Sequence, residues 1–123
     1  MYYEFPVTND PRQVFTVDMV IDDVMLHAKV EIRYLPAPDE WILSLWDNAT
    51  GELLVNQLRL VCSYGEVNDL LEPFRAAAQP HPLGSLFVIR DVDEPSTPDP
   101  ANGNLTEFKI LMGDTYGQGS ADV

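Results

Sequence analysis

The sequence has a single cysteine, Cys62. That excludes an internal disulfide, and with it any zinc site built on paired cysteines. Basic residues are also scarce: 7 Lys and Arg stand against 20 Asp and Glu, a formal net charge of -13. Phosphate recognition needs clustered Lys and Arg, and so does docking on anionic lipid, so no direct nucleic-acid binding and no membrane insertion are expected. No run approaches the roughly 18 apolar residues of a membrane-spanning helix. The N-terminal stretch MYYEFPVTNDPRQ lacks the basic start and apolar segment of a secretory signal, and synthesis in a cytoplasm is the expectation. The Asn-x-Thr triplets at Asn48 and Asn104 then read as chance, because glycosylation requires a secretory route. The seven glycines never fall into a phosphate-binding spacing such as G-x-G-x-x-G.

What remains is a chain rich in strand patterns. With 46% hydrophobic residues in 123, one domain should bury roughly two thirds of its unfolded surface. QVFTVDMV, from Gln13, is rich in Val, Phe and Thr. After a short IDD turn, VMLHAKVEIRY alternates: Leu26, Ala28, Val30, Ile32 and Tyr34 share one face, and Met25, His27, Lys29, Glu31 and Arg33 the other. Period two over that length predicts a strand with one buried and one wet face. LPAPDE interrupts it with two prolines. WILSLW and LLVNQLRLV follow as a third and fourth strand, joined by Asp47-Asn48-Ala49-Thr50-Gly51. That knot is read as a hairpin loop, with Asp47 accepting from amides two residues on and Gly51 taking the positive φ. SYGEVNDLLEPFRAA predicts one or two helical turns, limited by Pro73. SLFVIRD and LTEFKILM supply a fifth and sixth strand. The fold class is therefore mainly β: an antiparallel small barrel or sandwich of about six strands with one short helix. Residues 1–12 are expected as an extended N-terminal segment, 13–112 as a single β domain and 113–123 as a flexible tail.

Candidate chemistry is thin. The loop RDVDEPSTPDPANGN offers Asp91, Asp93, Glu94 and Asp99 as oxygen ligands, but it lacks the spacing and closing Glu of a calcium loop. It is read as a solvated loop, with no metal and no cofactor. His27 sits on the wet face of a strand, and His81 lies between two prolines. Neither has a Ser or Cys neighbour with which to build a nucleophile–base pair. Cys62 follows an apolar strand and is read as a small buried apolar residue. Trp41 and Trp46 lie five positions apart, on opposite faces of a regular strand, so one should be core and the other a candidate interface anchor.

The order of these features resembles the small baseplate plug proteins of contractile-tailed phages, of the cyanophage type. The likeness begins with the opening hairpin QVFTVDMVIDDVMLHAKVEIRY. It continues through EWILSLWDNATGELLVNQLRLV, where Trp41, Leu45, Trp46, Asp47 and Gly51 stand in that family's pattern. It is joined by DLLEPFR, by LFVIRD with its acidic loop, and by a last strand ending near Met112, so that it covers roughly residues 5 to 116. The segments QPHPLGS and EPSTPDPANGN are longer than the pattern. The resemblance implies a non-enzymatic virion protein that plugs or initiates the distal end of the tail tube. Its partners would be baseplate hub and tail tube proteins, and it would form a three- or six-fold homo-oligomer in the virion. Isolated, it is expected to be monomeric or weakly associated. The interface candidates are Trp41, Trp46, Asp91, Asp93, Glu94 and Asp99. Two other classes compete: an acidic DNA-mimic inhibitor, which needs carboxylates in paired rows, and a small carbohydrate-binding β module, which needs aromatics in line on one face.

Overall fold

The computed structural model describes residues 2–64, 66–75 and 82–115. Among these, seven strands form two antiparallel sheets and no closed barrel. The larger sheet is a meander of β2 (Arg12–Ile21), β3 (Val24–Leu35), β4 (Glu40–Asp47) and β5 (Leu53–Arg59), in that order. The smaller has β7 (Phe108–Gly113) in its centre, flanked by β1 (Tyr2–Glu4) and β6 (Ser85–Arg90). The sheet arrangement is a sandwich. The short helix α1 spans Glu72–Arg75, with Pro73 confined to its first turn, where a missing amide costs nothing.

The period-two pattern decides the larger sheet. Leu26, Ala28, Val30 and Ile32 of β3 are buried, and the alternate residues face outward. Ile21 pairs with Val24, leaving Asp22 and Asp23 as a two-residue turn with φ of 49° and 69°. Positive φ at both positions is the geometry whose twist matches a right-handed hairpin, and Asp is one of the few residues besides Gly to tolerate it. The Asp47–Gly51 knot is also a turn. The Ala49 amide donates to Asp47 Oδ1 at 2.9 Å, the Gly51 amide to Asp47 O at 2.7 Å, and Gly51 has φ of 77°.

The smaller sheet departs from the sequence reading in two ways. Tyr2–Glu4, within the segment expected only to be extended, pairs with Leu111–Gly113 and adds a seventh strand. Leu105–Glu107 forms a 3-10 turn, so the last strand starts at Phe108 rather than Leu105. A single core lies between the sheets, with Met19, Ile21, Leu43, Leu45 and Trp41 from one side and Leu86, Ile110, Met112 and Phe5 from the other. Gly84, just before β6, lies tightly against β7 of its own sheet and β2 of the other. A Cβ there would sit 1.9 Å from Gly113 O and 2.7 Å from Ile21 Cγ2. Next to it, the Asp22 amide donates to Asp114 Oδ1 at 2.8 Å, and Thr115 donates to both Asp22 carboxylate oxygens at 2.9 and 2.6 Å. This clasp ties the β2–β3 turn to the end of β7.

Candidate functional site

The two tryptophans do lie on opposite faces of β4. Trp41 is 1% exposed, and its indole N–H donates to Ala101 O at 2.6 Å. Trp46 faces outward between Lys29 and Leu53, its cross-strand neighbours, with Lys29 Nζ 5.2 Å from its ring centroid. The ammonium over the ring face is a cation–π contact. The half-buried Trp46 is thus the tryptophan a partner can reach, and no aromatic platform forms from the pair.

The outward face of the larger sheet is also where the basic side chains collect. Strand register puts Arg12, Lys29, Arg33 and Arg59 on it, together with Asp18, Glu31 and Glu40. Four of the seven basic residues thus meet three of the twenty acids there, and the rest of the sequence carries three basic and seventeen acidic residues. The face is close to neutral on a strongly acidic molecule. Two ion pairs lie on it: Arg12 Nε is 2.9 Å from Glu31 Oε2 and Arg59 Nε 2.6 Å from Glu40 Oε2; His27 Nδ1 is hydrogen-bonded to Asp18 Oδ1 at 2.8 Å. Ile42 is only 5% exposed although it points away from the core, and its register partners are Arg33 and Arg59, whose side chains have long apolar stems behind wet heads.

The long acidic loop is pinned rather than simply solvated. Asp99 Oδ1 accepts from the Cys62 amide at 2.8 Å. Ser96 donates twice to the Glu107 carboxylate, at 2.6 and 2.9 Å. Asn104, buried, accepts from the Ala101 amide at 2.7 Å and donates to Thr97 Oγ1 at 2.8 Å. The Asn102 amide donates to Asp39 Oδ1 at 3.0 Å, and the Tyr64 hydroxyl donates to Pro98 O. Asp91, Asp93 and Glu94 remain exposed, with Asp91 3.3 Å from Lys109. The structure therefore separates Asp99, a loop anchor, from the other three acids. It also separates the loop from Asp22 and Asp23: the loop joins the start of β7, and the aspartate turn is clasped to its end. Among the described residues, the acids of the loop and those of the aspartate turn thus lie at opposite ends of β7.

Sequence reasoning missed Asp69. Its Oδ1 accepts from the amides of Leu71 and Leu86 at 3.1 and 3.2 Å, and its Oδ2 from Ser85 Oγ at 2.7 Å. An Asp ahead of a short helical run signals a cap, but nothing local signals that it also holds the start of β6. Cys62 is buried, and loss of hydration pushes its thiol above the ordinary range, which works against a nucleophilic role. His81 lies outside the described residues. Among the described residues, no group of three or more His, Cys, Asp or Glu could hold a metal ion, and no helix is long and apolar enough to cross a membrane. Asn48 is exposed in its turn.

The protein is thus of the mainly β class, with two antiparallel sheets packed on one core. The sequence matches the family model described as cyanophage baseplate Pam3 plug gp18 over residues 2–115, and the chain belongs to that family. It is thus a phage structural protein of the virion baseplate. No curated protein matches it.

Proposed function

We propose that the chain plugs or initiates the distal end of the tail tube by docking with hub and tube proteins. It acts as a structural part without catalysis or a cofactor, and it is made in the host cytoplasm. The observation that carries this reading is the family match over nearly the whole chain. The copies form a ring of three- or six-fold symmetry, since a protein on the axis of a symmetric tube follows that symmetry. Trp46 is the side chain offered to a neighbour, and Trp41 holds β4 rigid behind it. Asp91, Asp93 and Glu94 form a non-stick or partner-facing surface. Genomic DNA must pass the distal tube, and acidic side chains repel it over a Debye length of roughly 8 Å in physiological salt. Asp99 keeps their loop in place through the Cys62 amide.

Cryo-microscopy of intact tails tests the position: density for this chain on the tube axis is expected, and density at the particle periphery would reject the proposal. Reversing Asp91, Asp93 and Glu94 to Lys, with Asp99 left intact, tests the charged surface. Failed assembly, or contraction with slow DNA delivery, is expected. Normal virions with normal delivery would reduce those acids to a solubility role.

A further inference from the structure

The two sheets have four edges, and three are protected. β1 is three residues long. β6 is covered by the chain after β5: Cys62 bridges Val88, the Ser63 amide donates to Val88 O at 2.7 Å, and the Leu70 amide donates to Leu86 O at 2.9 Å. β5 is broken by register shifts and by Gln57 at φ of 54°. Shortness, cover and bulges are the usual means by which proteins blunt a sheet edge.

β2 is covered only at its two ends. It runs ten residues without proline or bulge and pairs with β3 position for position. The Val20 amide donates to Tyr3 Oη at 3.1 Å and the Arg12 amide to Asp10 Oδ1 at 3.1 Å, so the even-numbered amides point away from β3. In an antiparallel strand the N–H and C=O of one residue point the same way. The backbone groups of Val14, Thr16 and Asp18 therefore face outward together. Among the described residues none accepts from those three amides. Beside them, Val14 is 51% exposed, and Phe15 and Val17 are half-buried against the core.

We infer that this edge pairs with the same edge of a second copy, joining two four-stranded sheets across a two-fold axis. Charge selects both the occupant and the register. The edge borders the near-neutral face, the part of the surface where two copies at -13 each approach without strong repulsion. With Phe15 opposite Phe15 of the second copy, Val14 faces Thr16 and Arg12 faces Asp18, so opposite charges meet twice. Shifting by one ladder step either way loses this match. One shift puts Val14 opposite Asp18, and the other puts Asp10 opposite Asp18. Cross-strand opposite-charge pairs stabilise a ladder, and like charges directly opposite weaken it. The pair itself is inferred independently of the plug reading, and only its fate in the virion rests on that reading. A two-fold contact lying off the tail axis has no place in a three- or six-fold ring, so the pair is the form of the free protein and opens on incorporation.

Sedimentation equilibrium of the full chain over a concentration series is the test. A monomer–dimer equilibrium is expected. Thr16→Pro removes an outward amide and no bond to β3, and it should weaken the dimer at least roughly tenfold. Asp18→Arg should weaken it by a similar factor, roughly tenfold for two lost pairs, and adding Arg12→Asp should restore it. Circular dichroism of each variant verifies that the monomer is folded. A chain that stays monomeric at every concentration, or a dimer indifferent to a folded Thr16→Pro, would overturn the inference. A dimer that Thr16→Pro weakens but the charge swap does not restore would overturn the register.

Discussion

The two sheets are built on different principles. The larger is assembled from neighbours in sequence, β2 to β5 in chain order, through tight turns whose chemistry is local. The smaller gathers both ends of the described chain and a strand from between them, with Tyr2 paired to Gly113. Its order depends on side chains that reach across the molecule: Asp69 at β6, Asp22 and Asp114 at the end of β7, and Asn9, which exchanges bonds with Thr106 at 3.0 Å in each direction. Local turns form a sheet cheaply, whereas closing long loops costs entropy before any contact repays it. The smaller sheet should therefore be the one that polar substitutions loosen.

The contrast can be broken most directly where the sheets touch. Gly84→Ala places a methyl against Gly113 O and Ile21 at a residue with φ of 71°. A loss of at least about 3 kcal/mol in urea unfolding is expected, and a change under about 1 kcal/mol would show that the sheets can part without cost. Asp69→Ala strips the acceptor from two amides and a hydroxyl. It should cost about 2 kcal/mol, with hydrogen exchange rising first in β6. Trp41→Phe keeps one aromatic ring but removes the buried pyrrole ring and its bond to Ala101 O. A loss of about 1–2 kcal/mol by the same measurement is expected, felt in the loop that contains Ala101. Gly51→Val lies in open space in the larger sheet's hairpin, so only the positive φ matters, and roughly 1 kcal/mol should be lost. The smallest effect is a ranking without mutation. Native-state hydrogen exchange should protect β3 and β4 most and β1 least, and equal protection of β1 and β3 would remove the distinction between the sheets.

The same division governs what the sequence made legible. β2 to β5 were readable because alternation and turn residues act within a few positions. The outward face of β3 and the opposite faces of Trp41 and Trp46 followed from period two alone. Three residues, Tyr2–Glu4, are too few to show a period, and their partner strand lies more than a hundred residues on, so β1 was unreadable. The acidic loop read as solvated because its anchors, Cys62, Asp39 and Glu107, belong to other elements. The open edge of β2 was equally hidden, since a strand's position in a sheet is a property of pairing.

The pairing of β1 with β7 also has a mechanical consequence. Because the strands are antiparallel and Tyr2 stands opposite Gly113, a pull applied at those two residues loads the ladder one rung at a time, like opening a zipper. Antiparallel bonds lie across the strands and would break in sequence rather than share the load. A tension between Tyr2 and Gly113 would therefore peel β1 from β7 at low force. Within a baseplate, such a protein withstands load only if it is gripped by its faces.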